Sequence, residues 1–147
     1  REDEKQMFME HINLTKTVEP FLLAAATATE SYVPGEALSV SSAGAVTKCS
    51  GANKPAFICQ SKLDDAAAGD MVCVTMVHPQ QILEVPLQAA GTSLKAGSKV
   101  TVGTDGLTVT ATTTNGVFTI TEVLGTAIGD LVRGYFDNVN TTVVQGS

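Results

Sequence analysis

The chain repeats itself, and that repeat limits its fold more than any other feature. "TESYVPGEALSVSSAGAVT" (Thr29 to Thr47) aligns with "GTSLKAGSKVTVGTDGLTV" (Gly91 to Val109). Gly35 falls on Gly97, Leu38 on Val100, Val40 on Val102 and Gly44 on Gly106. Downstream, "FICQSKLDDAAAGDMVCVTM" aligns with "FTITEVLGTAIGDLVRGYF", which matches Phe57 to Phe118, Gly69-Asp70 to Gly129-Asp130, and Val72 to Val132. A repeated unit of this size is one supersecondary block that buries its apolar face against its twin. The first unit spans residues 28–77, the second 90–136, and "QQILEVPLQ" (80–88) reads as a strand bridging them.

Each unit has the signature of β-structure. "ALSV" and "KVTV" alternate at period two, as half-buried strands do. "GVFTITEVL" and "MVCVTMV" are rich in β-branched residues, which fit a pleated surface. "SSAG" and "GTDG" are turns, and Asp-Gly tolerates the positive φ of tight hairpins. Gly69-Asp70 and Gly129-Asp130 turn the chain into core strands, with Gly supplying the backbone conformation and Asp bonding nearby amides. Pro86 places its strand at an edge or bulge. The expected fold is all-β, a jelly-roll-like sandwich or barrel built from two related units, since either unit alone is too small for a good core. "FLLAAATATE" (Phe21 to Glu30) is compatible with helix or extended chain.

The flanks differ from the repeats. Residues 1–27 read as an arm, with charge concentrated in "REDEKQMFMEHINLTKTVEP" and with Met7, Phe8, Met9, Ile12 and Leu14 lacking repeat partners. Those five pack either on the chain's own β-domain or on a partner. On the partner reading, deleting Arg1 to Pro20 abolishes binding and leaves the domain folded. Residues 137–147 read as a tail or one more edge strand.

Composition narrows the function classes. The net charge of −6 and nine scattered Lys and Arg argue against nucleic acid, which needs clustered cations. No run of apolar residues reaches the length of a membrane span. Only 16% of residues are charged, below the usual quarter, consistent with an exterior that largely faces other protein. Cys49, Cys59 and Cys73 form an odd set without metal-type spacing and read as reduced thiols.

No catalytic constellation stands out. Asp64 and Asp65 are adjacent, so on a strand they point to opposite faces. The acids flanking "AAAGD" do not recur in the second unit, whereas the Gly-Asp turn does. His11 and His78 lack metal-motif spacing, and no nucleophile elbow or phosphate loop is present. No catalytic, cofactor or metal residue is therefore nominated, and no cofactor is expected. The Thr-rich "TVTATTTNG" lacks the aromatic platform of a sugar-binding face.

The pattern "VPGEALSV", "GAVTK", "AAAGDMVCV" and "AIGDLVRGYF" resembles the small capsid decoration (cement) proteins of tailed bacteriophages, over roughly Ala24 to Phe136. The resemblance implies a non-enzymatic virion protein made in the host bacterial cytoplasm. Such a protein binds the outer surface of the head at threefold or twofold sites and bridges neighbouring major capsid proteins. It self-associates as a dimer or trimer and contacts neither membrane nor nucleic acid. A phage tail or head-fibre β-module and a carbohydrate-binding module share the all-β, Thr-rich character.

Overall fold

A computed structural model describes residues 7–15 and 20–137. It contains ten strands and no helix among those residues: β1 (Met9–Asn13), β2 (Leu22–Ala25), β3 (Ala37–Val40), β4 (Val46–Lys48), β5 (Phe57–Cys59), β6 (Met71–Met76), β7 (Gln81–Pro86), β8 (Lys99–Val100), β9 (Phe118–Val123) and β10 (Leu131–Phe136). They form two antiparallel five-stranded sheets, in the orders β2-β6-β5-β3-β4 and β1-β7-β10-β9-β8. The all-β sandwich of two related units is what the chain forms.

Each repeat forms most of its own sheet, and equivalent backbone bonds recur in the two. Gly35 N–H donates to Cys59 O at 2.8 Å, and Gly97 N–H to Ile120 O at 2.7 Å. Ala26 N–H reaches Asp70 O, and Leu87 N–H reaches Asp130 O, both at 2.9 Å. Each unit also carries an equivalent parallel bridge, Ala26–Val46 in the first, just beyond β2, and Leu87–Val109 in the second, just beyond β7. β7, expected to bridge the units, is thus the opening strand of the second unit, the counterpart of β2. Its Pro86 pairs with Leu131 on β10, beyond the stretch that β1 covers.

Two apolar clusters follow from this duplication. The first unit buries Ala26, Tyr32, Leu38, Val46, Cys59, Ala66, Val72 and Val74. The second unit's equivalents, among them Leu87, Leu94, Val100, Val109, Ile120 and Val132, lie in a larger cluster that also takes in Ala37, Cys49, Ile58 and Val77 from the first. These four come from the opposite face of the first sheet, so they join the units. This explains why β3 departs from half-burial: Leu38 points into its own unit and Ala37 into the junction, and both are fully buried. Backbone bonds cross the same junction, from Ala37 N–H to Gly106 O at 2.8 Å and between Gly51 and Val102.

The described residues among 1–27 supply two sheet strands, β1 and β2. β1 pairs antiparallel with β7, from Met9–Glu84 to Asn13–Gln81, with a bulge between Glu10 and Ile12. Phe8 is 3% exposed and packs its ring 5.4 Å from Phe136 and 6.0 Å from Phe118. Deleting residues 1–20 therefore removes an edge strand and a core aromatic as well as any docking surface, so the truncation tests folding and binding together. The expectation for 137–147 falls, apart from Asp137, outside the described residues.

Candidate functional site

The expected turn residues sit at equivalent bends. Gly35 and Gly97 have φ of 86° and 96°, and Gly69 and Gly129 have φ of 92° and 88°, values that residues with a Cβ adopt only under strain. Met7 lies so close over Gly35 that a Cβ there would come within 2.2 Å of its side chain. Asp70 Oδ2 accepts the Ala67 N–H at 2.9 Å, and Asp130 Oδ2 accepts the Ala127 N–H at 3.0 Å.

The remaining acids of that loop do not converge. Asp64 and Asp65 are exposed; Asp64 lies 3.8 Å from Lys62 in a solvent-screened pair, and the Asp65 N–H donates to Ser31 Oγ. Among the described residues, no three His, Cys, Asp or Glu side chains gather at a metal-binding distance. The three cysteines are free; burial pushes the Cys49 thiol up to about 12, which keeps it protonated.

Of the five residues expected to meet a partner, Phe8 is taken up by the core. Met7 and Met9 are half-buried, while Ile12 and Leu14 are exposed. Met7, Phe8 and Met9 also line a cleft of about 380 Å³, together with Phe21. Its polar lining includes Gln60, whose Nε2 donates to Thr75 Oγ at 3.0 Å, and Gln81. Gln81 is 2% exposed, and its Oε1 has no hydrogen-bond partner among the described residues.

A second apolar surface was not singled out from the sequence. Phe21 and Leu23 are each 70% exposed, and Leu22, Met71 and Met76 are also exposed. They lie on and beside β2, at the free end of the first sheet. Contiguous exposed apolar side chains of this kind mark contact sites on soluble domains. The signal was present in "PFLLAAATAT", a stretch of ten residues without a charge.

One acid is buried, at a position the strand pattern does not mark. Glu36 is 2% exposed, its Oε1 accepts the Val33 N–H at 3.2 Å, and its Oε2 has no partner among the described residues. Burial raises its carboxyl to about 7, only partly opposed by the Val33 bond and the Lys48 charge. Its equivalent is Ser98, whose Oγ accepts the Lys95 N–H at 3.1 Å. The same turn is thus capped by a hydroxyl in one unit and a carboxyl in the other, a substitution visible in the aligned "PGEAL" and "AGSKV".

No family model and no curated protein matches the chain. A similar solved structure is the head fiber gp8.5 N base of bacteriophage phi29. It has a TM-score of 0.55 at 20% identity, and the match covers 80% of this chain and 95% of that one. At that identity the likeness establishes a shared fold.

Proposed function

We propose that the chain is a non-enzymatic component of a bacteriophage virion. It binds the outer surface of the head, where it bridges and stabilises neighbouring major capsid proteins. The observation that carries this reading is the fold shared with a phage head fiber base along nearly the whole of that structure. It agrees with the resemblance of the repeated motifs to cement proteins. The exposed apolar surfaces around Ile12, Leu14, Phe21 and Leu23 supply what such a role requires: contact area summed over many copies, with no special chemistry. An acidic chain of low charge density fits a protein partner better than a nucleic acid.

The neighbour's own description favours a second reading, in which the domain is the base of a head fibre. Both readings place it in the virion, on the outside of the head, after synthesis in the host cytoplasm. Sedimenting the purified chain with phage heads assembled without it tests the proposal. Saturable co-sedimentation supports head binding, and a number of copies that tracks the capsid lattice favours cement over fibre base. A chain left wholly in the supernatant contradicts both readings.

A further inference from the structure

We infer that the outer edge of β2 is a strand-accepting site filled by the same edge of a second copy of this chain. The inference rests on the internal duplication and is independent of the virion reading. Ala26 and Leu87 make the same bond to Asp70 and Asp130, and that equivalence carries Gln81–Glu84 of β7 onto Pro20–Leu23. In the second unit that edge is covered by β1, paired antiparallel to Gln81–Glu84. In the first unit β2 ends its sheet, and no strand among the described residues covers Pro20–Leu23. Among the described residues, the duplicated scaffold thus presents one edge filled and its twin open.

The other sheet ends carry the usual protections against edge-to-edge pairing. β1 is bulged and bears Glu10 and His11, β4 has three residues including Lys48, and β8 has two. β2 has none of these features. Its Leu22 and Ala24 face Val74 and Val72, and the Ala26 N–H points to β6. By alternation, the backbone groups of Leu23 point away from β6, toward the open side.

A second copy fits this edge on charge and symmetry. The chain carries a net −6, so most self-contacts bring like charges together, whereas Pro20–Thr29 and β6 are uncharged. A twofold axis makes strand pairing antiparallel, the same sense in which β1 covers β7. Centred on Leu23, that pairing sets Leu23 opposite its symmetry mate and buries Phe21 and Leu23, each 70% exposed in the single chain.

Sedimentation velocity of the full chain tests the inference. The wild type is expected at twice the chain mass, Leu23→Lys at the monomer mass with an unchanged circular dichroism spectrum, and Leu124→Lys, an exposed site off this edge, still as a dimer. Should Leu23→Lys fail to fold, Leu23→Cys reads the same contact by forming a covalent dimer under mild oxidation. It is made with Cys73→Ser, because Cys73 lies directly opposite Leu23 on β6. A wild type that stays monomeric throughout its soluble range overturns the inference, including one whose Leu23 amide is protected from exchange by another segment of the same chain. A folded Leu23→Lys variant that remains dimeric also overturns it.

Discussion

Asp70 and Asp130 do the same work in the two halves of the chain. Each carboxylate accepts the N–H three residues before it, at 2.9 and 3.0 Å, and each backbone N–H returns to the carbonyl of that same residue at 3.0 Å. The pair closes the turn that launches the last strand of each unit. Replacing either Asp by Ala is expected to lower unfolding stability by about 1 kcal/mol, the value of one partly exposed side-chain-to-backbone bond. With the two turns in separate units, the double variant should lose about the sum of the single losses. Urea denaturation of the three variants measures both terms.

The glycines divide into two kinds, and alanine scanning should separate them. At Gly69 and Gly129 an added Cβ would touch nothing within 4 Å, so the cost is the left-handed backbone alone, about 1–2 kcal/mol. At Gly134 the Cβ would meet the Thr119 carbonyl oxygen at 2.1 Å, beside the bulge that β9 makes against β10. There β9 has to move, and Gly134→Ala is expected to cost more than either turn variant, about 3 kcal/mol. Thermal melts of the three variants give the order directly.

Glu36 makes the fold pH-sensitive in a defined window. Its carboxyl is raised to about 7 in the folded chain, against an ordinary value of 4.5. Between those values the unfolded chain has released the proton and the folded chain retains it. Stability therefore falls as pH rises from about 4.5 to about 7 and levels off above that. The loss amounts to about 3 kcal/mol at one pKa unit per 1.4 kcal/mol. Glu36→Gln should flatten that slope and be more stable than the wild type at pH 8, as read by denaturant midpoints across the range.

Phe8 tests the placement of the first residues. Phe8→Ala removes a ring packed on Phe118 and Phe136 and is expected to cost about 3–5 kcal/mol. Ile12→Ser, at an exposed β1 position, should change stability by less than about 0.5 kcal/mol. Equal effects from the two would contradict β1 as a strand that lays Phe8 into the core.

Much of this architecture was legible in the sequence because the repeat is written in residues with strong backbone consequences. Gly35 with Gly97, and Gly69-Asp70 with Gly129-Asp130, announce turns whatever surrounds them. The opening strands were harder to read. β2 and β7 are equivalent in space, yet "LLAA" and "QILEVP" share no pattern, because β1 covers the outer edge of β7 and no strand among the described residues covers that of β2. Phe8 looked like part of an outward-facing arm because nothing local reveals that Phe118 and Phe136, more than a hundred residues away, leave a place for its ring. The buried Glu36 breaks the period-two pattern by only one residue, and only its alignment with Ser98 marks it.

The central claim is that this two-unit β-sandwich decorates the outside of a phage head. Electron cryomicroscopy of heads with and without the chain tests it most directly. The account predicts added density on the outer surface at symmetry-related sites, of a size and shape that accepts the two five-stranded sheets and touches adjacent capsid subunits. Heads that look the same with and without the chain, or density confined to the interior or the tail, would contradict it.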